Sequence, residues 1–414
     1  MFLPNFCPKK SNCKSAKKFD TIQDFISYFY HKDNSLNVFV ICVPLPPIMK
    51  LHFLRKKEEE RAVSLSALTW QRFKKERQAM VSLAYIGLVI IIAILGYLIT
   101  PDSTPFCNHQ QLEIALQKPG FTVQMLELKP EQSVPHVNFL RKMLFGQPAE
   151  YKTVPIDTYT ITGDSVTVKL FQQNYNETYA KADLSPRMVK KQRFLLGTDR
   201  YGRDVLSQLM IGARVSLSVG FLSIFIALFI GTLVGATAGY YRGKVDDVLT
   251  FLINVVWSIP TLLLVIAISF ALGKGFWKIF IAIGLTMWVD IARVVRGQFL
   301  SLREQDFVES ARALGYSNFR IIVKHILPNI TGTLIVIAAS NFSSAILMEA
   351  GLSFLGLGVQ PPTPSWGMMM KENYACIVLN NAYLAIIPGL AIMLLVLSFM
   401  LIGNALRDAM DVRS

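Results

Sequence analysis

The sequence predicts an all-α polytopic membrane protein: six transmembrane helices, both termini inside, and a small β-rich extracytoplasmic insert between helices 1 and 2. Hydrophobic residues make up 52% of the 414 residues and gather in uncharged runs near the length that crosses a bilayer. Lysine and arginine concentrate in the short loops predicted to lie inside, as the positive-inside rule requires. A soluble chain of this length would show shorter apolar segments.

The net charge of +14 also fits a membrane protein. Nucleic-acid binding is the rival interpretation, but the basic residues flank apolar spans and do not form one patch. The five cysteines lack metal-ligand spacing. Cys107 and Cys376 are both predicted to lie outside, where a disulfide is possible and two unpaired thiols are the favoured interpretation.

Residues 1–78 are predicted to form a cytoplasmic N-terminal segment. Its apolar stretch, Val38 to Met49, is too short to span and lacks the layout of a secretory signal. A charged run follows Met49. This pattern favours Met49 as the true start of the protein, with residues 1–48 assigned to it in error. Residues 64–78 are basic and amphipathic, and suit either a helix at the membrane face or a basic flank that orients the first span.

Six spans are expected, one before the insert and five within residues 194–414. The second contains several glycines, among them Gly231 and Gly235, which would allow close helix contact, and simple tolerance of glycine in lipid is the alternative. Pro260 splits the third, so its first part is expected to be interfacial. The fourth carries Asp290, which is expected to pair with Arg293 one turn on. The predicted bounds are 79–100, 215–241, 248–273, 276–294, 331–352 and 383–406.

The insert is predicted to occupy residues 101–193. Residues 158–171 alternate in period two around Gly163 and Asp164, which is a hairpin signal. This pattern predicts a small β-rich unit outside the membrane. The lysines of the insert do not oppose that placement, because the positive-inside rule does not apply to long loops.

Residues 306–329, DFVESARALGYSNFRIIVKHILPN, predict a short helix-turn-helix in the cytoplasm. Gly315 is placed to end the first helix, Asn318 to start the second and Pro328 to halt it. The small residues Ala311 and Ala313 would let another protein approach closely. The apolar residues expected on one helical face are Phe307, Val308, Ala311 and Leu314.

On periodicity alone this segment is an ordinary amphipathic linker, but its residues resemble the EAA loop of ABC importer permeases. The resemblance rests on Glu309, Ser310, Ala311, Gly315, Leu327 and Pro328. It implies a coupling helix that docks into a groove on an ATPase, with Glu309, Ala311 and Gly315 carrying the contact. Ser310 stands where the loop's name has alanine, and His325 where many members have an apolar residue.

A second motif, LGTDRYGRDV at residues 196–205, resembles a segment of the dipeptide, oligopeptide and nickel importer permeases. A tight turn at the glycines, with charged residues that pair or cap the next helix, is favoured over direct substrate contact. The residues concerned are Gly197, Thr198, Asp199, Gly202, Arg203 and Asp204.

A third motif begins at Glu349 and runs through EAGLSFLGLG to QPPTPSWG at residues 360–367, and it is similar to the end of span five in the same family. A carboxylate in an apolar run is costly unless it is paired or faces a cavity. Glu349 is therefore expected either to line the translocation path or to hydrogen-bond an opposite helix.

The resemblance covers residues 64–100 and 194–414, and leaves 1–48 and the insert unmatched. It implies an inner-membrane permease that imports peptides with a second permease subunit, two ATPase subunits and an extracytoplasmic substrate-binding protein. Nickel or another small ligand is the alternative cargo, since nickel import would not require ligands in this chain.

The chain contains no G-x-x-x-x-G-K-[ST] phosphate loop, so ATP is expected to be used by the partner subunits and no cofactor is expected here. No catalytic or metal-ligand cluster is apparent among its five histidines. An ion-coupled secondary transporter would rest on Glu349 and Asp290 alone, without an inverted repeat.

Overall fold

The computed structural model describes residues 65–130, 137–173, 175–273 and 275–410. The predictions for residues 1–48 and for a start at Met49 lie outside these ranges. The helices are α1 (Leu65–Lys75), α2 (Arg77–Leu95), α3 (Phe139–Phe145), α4 (Val205–Tyr241), α5 (Gly243–Trp257), α6 (Thr261–Leu272), α7 (Phe276–Leu302), α8 (Asp306–Ala313), α9 (Asn318–Ile321), α10 (Thr331–Phe354), α11 (Trp366–Asn373) and α12 (Tyr383–Met410). The strands are β1 (Phe121–Leu128), β2 (Lys152–Thr162), β3 (Ser165–Leu170), β4 (Asn176–Ala180) and β5 (Leu184–Phe194).

In the described ranges, four helices are long and apolar enough to cross a membrane: Arg77–Leu98, α4, Asn318–Phe354 and α12. The bent pair α5 and α6 makes a fifth if it is taken as one span. Helix α7, the predicted fourth span, falls outside this group because charged residues recur along its length. Length and composition therefore support four or five spans where the sequence pattern predicted six.

The predicted third span is two helices, as Pro260 indicated. Helices α5 and α6 meet at an angle of 91° around residues 258–260. Pro260 precedes α6 with an extended backbone, φ −53° and ψ 124°, and its ring cannot continue the helix that ends at Trp257.

Helix α4 begins at Val205, ten residues before the predicted start of the second span at Val215. Arg214 lies within the helix, directly before that predicted start. The guanidinium is satisfied by backbone carbonyls: it donates to Ala93 at 2.8 Å and to Leu144 at 2.7 Å, with two further bonds to Ile94 and Met143. A cation among the last carbonyls of two helices is electrostatically favourable.

Helices α4 and α7 pack with almost no space between their backbones. A Cβ atom built on Gly235 would lie 2.4 Å from the carbonyl oxygen of Ala292, and one on Gly231 would lie 2.7 Å from that of Trp288. A Cβ atom on Gly239 would come similarly close to the carbonyl oxygen of Arg296. The three glycines recur every four residues, the spacing that brings small residues onto one helical stripe. The expected close helix contact is thus present, and it places α7 in the bundle core.

The insert contains a five-stranded antiparallel sheet with strand order β4-β3-β2-β1-β5. Strands β2 and β3 form the predicted hairpin: Thr162 pairs with Ser165 across a turn in which Gly163 has φ +61°. Buried apolar side chains such as Leu126, Ile156 and Val168 form its core. The small β-rich unit that the alternation indicated is therefore present.

Cys107 and Cys376 are both buried and both free, which agrees with the favoured interpretation of two unpaired thiols. Burial raises the pKa of each thiol. The thiols therefore stay protonated at neutral pH, the less reactive form of cysteine.

The close packing of α4 on α7 generates a stability prediction. Gly235→Ala should lower the free energy of unfolding by about 1–3 kcal/mol, because its methyl group collides with backbone that cannot move aside. Gly297→Ala is the matched control, since no atom lies within 4 Å of its Cβ position. The control should be neutral or stabilising by about 0.5–1 kcal/mol. Thermal unfolding in detergent measures both, and equal midpoints for the two variants would contradict the packing.

Candidate functional site

The EAA-like segment, residues 306–329, follows α7 and begins with helix α8. Gly315 ends α8 with φ +76°, as predicted. The amide of Gly315 donates to the carbonyl of Arg312 at 3.0 Å, and that of Tyr316 to the carbonyl of Ala311 at 3.2 Å. These two bonds are the Schellman motif, which needs a left-handed residue at the position that Gly315 occupies.

Helix α8 buries a narrower face than its apolar residues predicted. Val308 and Ala311 are buried, whereas Phe307 and Leu314 are exposed, Leu314 by 72%. The helix is rolled so that Val308 and Ala311 meet the bundle and the other two lie at the margin. Ala311 therefore packs against its own chain. At 100° per residue the face opposite the bundle consists of exposed residues: Asp306, Glu309, Ser310 and Ala313.

Pro328 does not halt the second helix, contrary to the prediction. After α9 the backbone makes a π-helical turn at residues 322–326 and a 3₁₀ turn at 327–330, and it then enters α10. Pro328 lies in the first turn of that 3₁₀ segment, where a missing N–H costs little. Leu327 and Pro328 thus join the EAA-like segment to α10 without a break in helical direction.

The C-terminal end of α4 is hydrogen-bonded to residues on both sides of α8. The Tyr240 hydroxyl donates to Oδ1 of Asn318, the first residue of α9, at 2.8 Å. Arg303, just before α8, donates to the carbonyl of Tyr240, and Arg242 pairs with Glu304 at 2.5 Å. Helix α8 is therefore connected to α4 through hydrogen bonds of its flanking residues as well as through the chain.

The LGTD motif, residues 196–205, forms a tight turn before α4. Gly197 and Gly202 have φ values of +74° and +73°. A Cβ on Gly202 would lie 1.8 Å from the carbonyl oxygen of Gln111, so only glycine fits. The Thr198 hydroxyl accepts from the amide of Gln117 at 2.9 Å. The turn is thus anchored to the start of the insert.

Asp199, Arg203 and Asp204 of this motif are buried, and Arg200 is exposed. Arg203 bridges Asp199 at 2.6 Å and Glu372 at 2.5 Å. Burial alone would lower the pKa of Arg203, but the two carboxylates raise it, so the guanidinium stays charged. Sequence reasoning missed Glu372, because its partner lies 169 residues away and no local pattern marks it.

Asp204 caps α4, one of the roles that the sequence indicated. Its Oδ2 accepts from the amide of Ser207 at 3.0 Å. Burial raises the pKa of Asp204, and the hydrogen bonds from Ser207 oppose that shift. An N-cap carboxylate satisfies a helix amide that otherwise has no partner.

Glu349 is completely buried near the end of α10. Its Oε1 accepts from the Ser353 hydroxyl at 2.6 Å, and that hydroxyl lies 3.5 Å from the hydroxyl of Ser365, the residue that caps α11. Oε2 has no hydrogen-bond partner among the described residues. The carboxyl group therefore belongs to a small buried polar cluster near the junction of α10 with α11.

The structure combines a bundle of apolar helices, an exposed EAA-like segment held by hydrogen bonds, and a small sheet in the insert. These features define a polytopic membrane subunit. Residues 231–413 match the family model described as binding-protein-dependent transport system inner membrane component. Residues 64–119 match the N-terminal TM domain of oligopeptide transport permease C. The second match extends into the insert, whose first residues the sequence resemblance had left unmatched.

Curated relatives confirm this family. The chain is 43% identical over 215 residues to the glutathione transport system permease protein GsiD of Escherichia coli O6:K15:H31, covering 52% of this chain and 71% of the relative. The GsiD protein of Shigella boydii serotype 4 matches to the same extent. The chain belongs to the ABC importer permease family, whose members are inner-membrane components of binding-protein-dependent transport systems.

Among solved structures, an inward-facing form of the MetNI methionine ABC transporter is similar to this chain. The sequence identity is 20%, the TM-score is 0.42, and the match covers 49% of this chain and 97% of that one.

The buried ion pairs of the LGTD motif generate the second prediction. Arg203→Gln should lower the free energy of unfolding by about 3–5 kcal/mol, because it leaves Asp199 and Glu372 without a cation. Arg200→Gln, an exposed neighbour in the same turn, should change it by about 0–1 kcal/mol. Thermal unfolding in detergent compares the two variants, and a small effect at Arg203 would show that the cluster does not hold the turn.

Proposed function

We propose that this permease subunit imports peptides and is driven through the EAA-like segment by separate ATPase subunits. The observation that carries the proposal is the exposed face of α8, whose flanking residues are hydrogen-bonded to the C-terminal end of α4. A partner that pulls on this face acts on a helix that crosses the membrane, so the segment is suited to transmit force.

The proposed topology has six spans with both ends in the cytoplasm. Helix α7 is the fourth span: its 27 residues extend about 40 Å, more than the thickness of the hydrocarbon core. Residues 1–78 then lie in the cytoplasm, residues 79–100 form the first span, residues 101–193 lie outside, and residues 194–414 form the permease core. The EAA-like segment is thereby placed inside.

The proposed ATPase contact consists of Glu309 and Ser310 with the adjoining Ala313, on the exposed face of α8. Gly315 shapes the turn, and Leu327 and Pro328 carry the motion into α10. Ala311, which the family resemblance places in the contact, acts here by seating α8 on the bundle. ATP is bound and hydrolysed by the partner subunits, so no cofactor is assigned to this chain.

The proposed assembly contains a second permease subunit, two ATPase subunits and an extracytoplasmic substrate-binding protein. Family membership supports these partner classes. The cargo is proposed to be a small peptide, because the GsiD relatives are glutathione permeases and glutathione is a peptide-like thiol. The LGTD motif and Glu349 are assigned structural roles, since both are buried and hydrogen-bonded within the chain.

The ATPase contact is tested with a charge reversal. Glu309→Lys should abolish or strongly reduce both co-purification of the ATPase subunits and peptide-stimulated ATP hydrolysis, because a cation replaces the carboxylate on the docking face. Glu113→Lys, an exposed acidic residue in the insert, is the matched control and should keep both activities. Peptide uptake that continues after ATP depletion would instead favour an ion-coupled transporter.

The topology is tested by thiol labelling. Asp164→Cys at the hairpin turn should react with a membrane-impermeant maleimide in intact spheroplasts. Ala313→Cys on α8 should react only after permeabilisation. Cys107 and Cys376 are buried and serve as an unreactive background, while the three cysteines before residue 65 are replaced by serine. Labelling of Ala313→Cys in intact spheroplasts would overturn both the topology and the ATPase contact.

A further inference from the structure

On the proposed topology, the break between α5 and α6 lies at the depth of the hydrocarbon core. Helix α6 has 12 residues and rises about 18 Å from the break to the turn that leads into α7. Helix α7 descends from that turn, and Asp290 lies 14 residues after Phe276, about 21 Å along the helix. The break and Asp290 therefore share one depth, inside a hydrocarbon core about 30 Å thick.

A pocket of about 140 Å³ lies between the break and α7. Asp290 and Thr286 line it from α7, and Thr261 lines it from the start of α6. Residues 257–260 at the break are exposed, Trp257 by 60%. Irregular backbone at membrane depth is tolerated only where it is buried in protein or lines a water-filled cavity.

Asp290 is exposed and has no ion-pair partner among the described residues, so the expected pair with Arg293 does not form. The Arg293 guanidinium instead lies 3.8 Å from the ring centroid of Trp257. The next arginine on the helix, Arg296, is held by Asp246 at 2.6 Å. The pocket therefore presents a carboxylate that the neighbouring cations leave uncompensated.

We infer that Asp290, with the α5–α6 break, forms a binding site in the translocation path for the cationic α-amino group of the transported peptide. The inference rests on the proposed peptide import. A carboxylate beside threonine hydroxyls accepts hydrogen bonds from an ammonium group. Discontinuous helices at membrane depth form substrate and ion sites in other transporters.

The alternative is that Asp290 pairs with a cation of the second permease subunit. In that case the carboxylate holds the two permeases together and contributes nothing to peptide binding. The pocket favours the first possibility, because a cavity with a polar lining suits an ammonium group and its water better than a closely packed subunit interface.

The test uses the complex of both permeases with the ATPases, purified without the binding protein so that its selectivity does not intervene. Binding of a short peptide with a free amino terminus is compared with binding of its N-acetylated counterpart by calorimetry. The wild-type complex should prefer the free amino terminus by roughly tenfold, the factor that corresponds to about 1.4 kcal/mol. Asp290→Asn should remove this preference, and Asp290→Glu should retain it.

Each other outcome overturns the inference in a distinguishable way. An unchanged preference in Asp290→Asn would show that the site lies elsewhere while peptide transport stands. Loss of the second permease from the purified Asp290→Asn complex would show a subunit contact. A wild-type complex that binds neither peptide would overturn the inference together with the proposed cargo.

Discussion

The contact between α4 and α7 is the constraint on which the rest of the structure depends. Three glycines at four-residue spacing bring the two backbones within van der Waals contact. In a membrane, where apolar surface is not driven together by water, this close fit supplies the attraction between helices. The contact also fixes the direction of α7, and α7 in turn determines where the EAA-like segment emerges.

Both ends of α4 are joined to polar clusters, and this makes the helix a connection between two distant parts of the molecule. Asp204 caps its first turn, directly after the ion pairs of Arg203. Tyr240, in its last turn, binds Asn318 beyond α8. A rigid element of 37 residues, about 55 Å long, thus links the LGTD turn to the exposed face of α8.

The sequence predicted features whose causes are local. Gly315 ends α8 and Gly163 turns the hairpin because each needs a left-handed backbone, which a short pattern reveals. Sequence patterns do not reveal features whose cause lies far away in the chain. The acceptors of Arg214, the carbonyls near residues 93 and 144, are remote in sequence, so no local pattern shows that α4 continues through this residue. Glu372 escaped notice for the same reason. The burial of Ala311 depends on how α8 is rolled against the bundle, which periodicity alone does not fix.

Helix α7, the proposed fourth span, carries more charged residues than the helices that length and composition support as spans. Its charges would exclude it from a membrane if each faced lipid, but two of its arginines are compensated by other helices. Arg296 is bound by Asp246 of α5, and Arg293 lies on Trp257, the last residue of α5. Helix α5 therefore supplies the contacts that compensate these two charges of α7. Asp290 is the residue that this compensation does not reach, and a membrane protein keeps such a carboxylate only where water, a partner or a cargo meets it.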